Sequence, residues 1–299
     1  MSILWEDVID YVEEFKRYLR EDGKRDSTIL SYVGDVQGFL EYLTAKGTTF
    51  DGQLVRFFIT SYKQHLESLD YKVNTINKKI NSLVCFNQFL IQQGQMTSMV
   101  VDLKKDKTRI AYGSEQEVEV YTENEVERLL FYVQDPAKVS VRDKLIVLLL
   151  LYTGIRVSEL VSIRLKDLDF LTMQLHVVGK GGKIREVPLR SEVVEAAKEY
   201  MATERKEHKF SDSEYLLLTQ RAGKMDRDTV NKLLNKHGAY LGIIMRPHKF
   251  RHTFCTRLLN VGVPLTTVSK LAGHSSIQTT VAFYINTSRQ DKQDAVDLL

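Results

Sequence analysis

The sequence predicts a mainly α-helical protein with a small antiparallel β-sheet, split between a four-helix N-terminal domain and a mixed α/β C-terminal domain. Three observations carry the prediction. Apolar residues recur at helical spacing through the first hundred positions, a charged aperiodic stretch interrupts them, and one strand-turn-strand pattern with a glycine-rich tip stands in the second half.

The first helix is read from Trp5, Val8, Ile9, Tyr11, Val12, Phe15 and Leu19, and it ends in the polar run Glu21-Asp22-Gly23-Lys24. A second runs from Ser27-Thr28 through Ile29, Tyr32, Val36, Phe39, Leu40 and Leu43, with Gly47 just beyond its end. The third uses Leu54, Phe57, Phe58, Ile59, Tyr62 and Leu66, and the fourth Ile76, Ile80, Leu83, Phe86, Phe89 and Leu90 before Gly94. The aromatic residues fall on the apolar stripes, so they read as core in preference to base-stacking groups. The boundaries expected are 1–106 for the helical domain, 107–121 for a linker and 122–299 for the second domain. Lys104 and Lys105, at the basic edge of the aperiodic stretch, are candidates for lying along a DNA backbone, with a solvated tether as the equal alternative.

Thr122 and Glu125 have the spacing of a capping box, opening a helix through Val126, Leu129 and Leu130. Leu145 to Leu151 is apolar all round and reads as a central buried helix that delivers Thr153-Gly154-Ile155-Arg156 beyond its end. Leu175 to Val178 and Ile184 to Leu189 read as a hairpin with Lys180 at its tip. Helices are expected from Ser191 to His208 and from Asp226 to Tyr240, then again from Pro247 to the C-terminus.

Composition bounds the class without fixing the function. The 299 residues are 43% hydrophobic and 27% charged, as in folded soluble proteins. No apolar run approaches the roughly 20 residues of a membrane span, and no targeting segment is visible, so a cytoplasmic protein is expected. Cys85 and Cys255 read as buried apolar filler, with no disulfide, metal clip or cofactor motif around them. The net charge of +3 is mild. Residues 1–112 hold 15 Lys and Arg against 15 Asp and Glu, which from totals of 42 and 39 leaves 27 against 24 for the rest. The small cationic excess therefore sits in the second domain.

That domain also holds the residues suited to phosphodiester chemistry: Arg156, Lys180, His248, Arg251, His274 and Tyr284. A phosphate in its transition state gathers negative charge on its non-bridging oxygens, and arginine forks suit those oxygens. Arg156 follows a glycine turn after a buried helix, with Glu159 one turn on as the partner that orients it. His248 and Arg251, three residues apart, share a helix face. Lys180 has the reach to protonate a leaving oxygen. A nucleotide-binding loop is a rival reading of Gly179-Lys180-Gly181-Gly182, but no Gly-x-x-x-x-Gly-Lys-Ser/Thr is present and both flanks read as strand. Lys183 and Arg185 read as backbone-binding or solvated residues. His274 is placed near a helix start, and Tyr284 is the only tyrosine after Tyr240. A phenol, with pKa about 10, leaves more readily than an alcohol, so a phosphotyrosyl bond is reversible.

Together these residues resemble the active site of the tyrosine recombinase (phage-integrase) family. Thr153-Gly154-Ile155-Arg156-Val157-Ser158-Glu159-Leu160 is similar to the family's first arginine box, and Gly179-Lys180-Gly181-Gly182-Lys183 to its hairpin lysine. Pro247-His248-Lys249-Phe250-Arg251-His252 is similar to its His-x-x-Arg box, and Leu271-Ala272-Gly273-His274-Ser275-Ser276 to the histidine box that follows. The N-terminal helices resemble its SAM-like core-binding domain. One position departs: the family most often has its tyrosine nine residues after the box histidine, where this chain has Phe283, with Tyr284 next.

The resemblance implies an α/β tyrosine-recombinase catalytic domain and a site-specific recombinase that cleaves and rejoins DNA through a 3′-phosphotyrosine, without metal, cofactor or ATP. Arg156, Arg251 and His274 would hold the phosphate, Lys180 would be the general acid, His248 would assist proton transfer and Tyr284 would be the nucleophile. The partners implied are duplex DNA at a specific site and related protomers in a homotetramer or heterotetramer, with no membrane. The tail from Asp291 to Leu299, with Ala295, Val296, Leu298 and Leu299 at helical spacing, would dock on a neighbouring protomer, the alternative being that it packs on its own domain. The absence of an extra DNA-binding domain before the first helix points to an Xer-like or compact transposon- or plasmid-type enzyme. Two alternatives stand beside it: a non-catalytic DNA-binding protein on the same fold, and a type IB topoisomerase-like relaxation of supercoils.

Overall fold

The computed structural model describes residues 3–108, 118–179, 182–274, 276, 281 and 297, with the side chains of residues 3–10 excepted. The chain divides into two compact units, Met1–Glu115 and Gln116–Leu299.

The first unit packs four helices, α1 (Ile3–Glu21), α2 (Asp26–Ala45), α3 (Arg56–Ser68) and α4 (Val73–Gln92), with a one-turn helix α5 (Leu103–Asp106). The apolar stripes meet in one core that includes Phe15, Phe39, Leu40, Ile59, Ile80, Phe86 and Phe89, all with no exposed surface. Phe15 meets Phe86 edge-on, ring centroids 5.3 Å apart. These aromatic side chains are therefore core and are not available to stack on bases, although Phe57 stands exposed. Two buried carboxylates tie the helices. Asp35 of α2 accepts from Ser82 at 2.8 Å and pairs with Lys78 and Lys79 of α4 at 3.2 and 3.3 Å. Asp106 takes a bidentate fork from Arg56, which anchors α5 and leaves Lys104 and Lys105 exposed. The basic stretch is thus ordered further than its composition suggests, because Thr108 also exchanges two hydrogen bonds with Asn77.

The second unit is ordered by Tyr121 at the latest: its N–H donates to Thr253 and its ring meets Phe250 edge-on at 5.0 Å. Thr122 and Glu125 form the capping box that starts α6 (Glu123–Tyr132). The helix α7 (Val141–Thr153) runs through the core, with every residue from Leu145 to Leu151 buried, and α9 (Ser191–Ala202) packs on it. Between them lie a one-turn helix α8 (Val157–Leu160) and a three-stranded antiparallel sheet of β1 (Leu168–Asp169), β2 (Gln174–Val178) and β3 (Ile184–Pro188). Register pairs Val177 with Arg185 and Val178 with Ile184. The helices α10 (Arg227–Leu241), α11 (Pro247–Asn260) and α12 (Leu265–Ala272) follow.

The helix expected to reach His208 stops at Ala202. Just beyond it the buried Arg205 donates to the carbonyls of Ser211, Ser213, Tyr215 and Leu216, folding the chain back instead of letting it extend. Cys255 is buried and Cys85 half-buried, and neither is in a disulfide. Among the described residues, no helix is long and apolar enough to cross a membrane.

Candidate active site

The site is assembled where α7 ends, where α11 passes, where β3 begins and where α12 stops. Gly154 caps α7 in the left-handed region at φ 59°, and a Cβ there would lie 2.3 Å from the Phe254 ring, so only glycine fits. The turn it makes presents Arg156 at the N-cap of α8. Arg156 donates Nη1 to Glu159 at 2.9 Å and Nη2 to the Gly273 carbonyl at 2.8 Å, while its backbone N–H donates to the other Glu159 oxygen at 2.8 Å. The expected orienting partner is therefore the observed one.

Glu159 is also held by Arg185, whose Nη1 and Nη2 reach its two carboxylate oxygens at 3.0 and 2.9 Å. Burial alone would push this carboxyl up, but hydrogen bonds from Arg185 and Arg156 and the charge of Arg185 outweigh it and hold Glu159 below the usual carboxylate range. Arg185 is thus not a solvated residue of the hairpin: strand alternation turns it inward with Val187, while Ile184 and Glu186 face out. Its Nε donates to the Leu271 carbonyl at 3.0 Å, joining β3 to the end of α12.

Arg251 on α11 is only 5% exposed. Its Nη1 donates to the Gly154 carbonyl at 2.6 Å, and its Nη2 is buried without a hydrogen-bond partner among the described residues. Burial, then the nearby charge of Arg156, pushes its pKa down to about 10. An unpaired buried guanidinium is costly, by several kcal/mol as a rule, unless an anion completes it. Arg156, Arg185 and Arg251 against Glu159 leave a net charge of 3 − 1 = +2 in this cluster. Such a cluster selects an anion with several oxygens.

His274 stands directly after Gly273, which caps α12 in the left-handed region at φ 67°. It therefore directly follows a helix C-terminus, and the helix start expected just beyond it, over 275–280, lies outside the described residues apart from Ser276. Burial first, then the charges of Arg251 and Arg156, push it down to about 4, so at neutral pH it is an uncharged N–H donor beside the two arginines. His248 is exposed in the first turn of α11, and its ring lies 6.3 Å from that of His252. His252 was not singled out in the sequence; its ring is half-buried, bonds the Glu119 backbone and is pushed down by burial. Lys183 is exposed on the far side of the hairpin turn. Lys180 and Tyr284 lie outside the described residues.

Residues 119–291 match the phage integrase family, and residues 12–94 match the phage integrase N-terminal SAM-like domain. The chain belongs to the phage integrase family. Within it, the chain is 32% identical over 303 residues to the TnP I resolvase of Bacillus thuringiensis, covering 97% of this chain and 100% of that protein. It is also 32% identical over 298 residues to the tyrosine recombinase XerC of Oceanobacillus iheyensis, covering 95% and 94%. The fold is shared with a Tn1549 transposon integrase in complex with transposon right end DNA (TM-score 0.71, 22% identity, 96% and 98% covered). It is shared too with the XerH site-specific recombinase bound to a palindromic difH substrate (TM-score 0.74, 20% identity, 90% and 79% covered).

For this family member, the residues that sequence reading undervalued are Arg185 and His252. Arg185 had a signal in the period-two pattern it shares with the buried Val187. His252 had only its place one turn after His248, which by itself is common on helices.

Proposed function

We propose that this tyrosine recombinase cleaves and rejoins DNA at a specific site through a 3′-phosphotyrosine, with Arg156, Arg251 and His274 holding the phosphate. The observation that carries the reading is the buried Arg251 fork, braced on one side by the Gly154 carbonyl and, among the described residues, unpartnered on the other, beside Arg156 and an uncharged His274. Arginine donors stabilise charge as it develops on the non-bridging oxygens.

In the proposed step the Tyr284 oxygen forms a bond to phosphorus as the bond to the 5′ oxygen breaks. The electron pair of that bond stays on the 5′ oxygen, which takes a proton from Lys180, and the tyrosine proton is lost with the help of His248. Reversal by a 5′ hydroxyl rejoins the strand, and the phosphotyrosyl bond conserves the energy that a hydrolysis would dissipate. Glu159 orients Arg156 and touches no substrate.

The domain division proposed is 1–106 for core-site DNA binding, with Lys104 and Lys105 toward the backbone, a linker from 107 to 121 whose ends Thr108 and Tyr121 pack on their own units, and 122–299 for the chemistry. The enzyme acts in the cytoplasm, in a tetramer of like or related protomers. The similarity to a resolvase and to XerC supports the Xer-like or transposon-type reading. The segment 291–299 is proposed to dock on a neighbouring protomer. An apolar groove of about 340 Å³ lined by Leu151, Tyr152, Phe254, Leu258, Val261 and Leu271 supports this as a receptor for its leucines.

The test is covalent trapping on nicked suicide duplexes in the presence of a chelator. Wild-type protein is expected to form an adduct that Tyr284→Phe does not. DNA binding without an adduct on sites from the native locus would overturn the reading in favour of a non-catalytic binder. Deleting 291–299 is expected to weaken assembly on paired sites and to leave binding to a single site intact.

A further inference from the structure

We infer that Arg185 is a positioning residue that fixes the base of the β2–β3 hairpin, and through it the proton donor, against the arginine box. The inference rests on the recombinase reading above and concerns a residue to which that reading gives no role. Arg185 joins three separate segments. It lies on β3, donates twice to Glu159 of α8 and once to the Leu271 carbonyl of α12.

Its position along the hairpin decides what it anchors. Val177 and Val187 are buried, but the last pair before the turn, Val178 and Ile184, is 58% and 69% exposed. Arg185 is thus the last inward anchor before the turn closes with Gly179 donating to the Lys183 carbonyl at 2.7 Å. A Cβ on Gly179 would lie 3.8 Å from Arg185 Nη1 and 4.0 Å from Glu159 Oε1, so the turn begins directly over this ion pair. Lys180 is the next residue in the chain.

Arg156 does not depend on Arg185 in the same way. Without it, Arg156 keeps both of its bonds to Glu159 and the Gly273 carbonyl. The hairpin base, by contrast, keeps its own ladder and the packing of Val177 and Val187 in the core, but among the described residues no side-chain hydrogen bond to α8 or α12. Loss of Arg185 should therefore impair protonation of the leaving oxygen more than it impairs phosphate binding.

The experiment compares cleavage of a suicide duplex whose scissile 5′ oxygen is intact with one in which sulfur replaces it. A thiolate, with thiol pKa about 8.5, leaves without needing a proton. Arg185→Gln is expected to slow the oxygen substrate by about 100-fold, the low end of what a positioned general acid contributes, and the sulfur substrate by no more than about threefold. Arg185→Lys, which keeps a cation on the buried Glu159 and preserves folding, should show the same pattern with a smaller loss. Combined with Lys180→Ala, Arg185→Gln should cost nothing further on the oxygen substrate. Equal slowing of both substrates, no slowing of either, or additive losses in the double variant would overturn the inference while leaving the recombinase reading in place. Wild-type protein that forms no adduct with either substrate would overturn the recombinase reading itself, and this inference with it.

Discussion

In the N-terminal unit the buried charges Asp35 and Asp106 each meet cations that reach in from the surface, whereas in the C-terminal unit one buried carboxylate, Glu159, faces Arg156, Arg185 and Arg251. The first arrangement is closed. Asp35 and Asp106 stitch helices together and ask for nothing more. The second carries surplus cation, and the surplus is concentrated on Arg251, whose Nη2 is buried without a partner among the described residues. The C-terminal unit also contains a closed network, in which buried His237 bridges Tyr132 at 2.9 Å and Asp143 at 3.1 Å, so burial of polar groups alone does not mark a site. Imbalance does.

The comparison breaks most sharply at Arg251. Arg251→Met should lower the rate of DNA cleavage by about 100- to 1,000-fold, as loss of a donor to developing charge does. It should leave the melting temperature unchanged or raised, because an unpaired buried charge is removed. Single-turnover cleavage and thermal denaturation on the same preparation read both. A large loss of stability would mean that the fork is structural.

Asp35→Ala should do the opposite. It is expected to destabilise the N-terminal unit by about 1–3 kcal/mol, moderated because Lys78 is already half in water, with cleavage of saturating DNA unaffected. Denaturant unfolding is the measurement. Gly154→Ala should fall between the two, losing about 1–3 kcal/mol to the left-handed backbone, together with activity, since the same turn carries Arg156 and braces Arg251.

A pH titration sharpens the contrast from the side of His274. Its folded pKa, about 4, lies below the ordinary histidine value of 6.5, so between these values the unfolded chain binds the extra proton. The contribution of this group to stability is therefore full above pH 6.5 and lost as pH falls toward 4. His274→Gln should flatten that part of the stability profile. A bound phosphate should oppose the arginine charges and raise the pKa, so DNA binding near pH 5.5 should take up a proton, seen as a buffer-dependent heat. The smallest effect expected is at Thr122→Ala, about 1 kcal/mol from loss of the α6 cap and no change in chemistry.

Much of this was legible in the sequence, for physical reasons that differ by element. The core helix α7 and the capping box of α6 were readable because local pattern alone determines them. Glu159 as the partner of Arg156 was readable because i, i+3 geometry is fixed once the turn is helical. The end of α9 was not readable, since it depends on Arg205 collecting carbonyls from residues up to 11 positions away. The role of Arg185 was hidden for the same reason: Glu159 is 26 residues away and Leu271 is 86. The two-residue strand β1 is too short to leave a periodic trace.

The central claim is that the surplus cations serve a covalent exchange at a tyrosine. The most direct measurement is to digest the trapped protein–DNA adduct with protease and nuclease and sequence the modified peptide by tandem mass spectrometry. The account predicts a nucleotide joined through its 3′ phosphate to Tyr284. A modification on any other residue, or linkage through a 5′ phosphate, would contradict it.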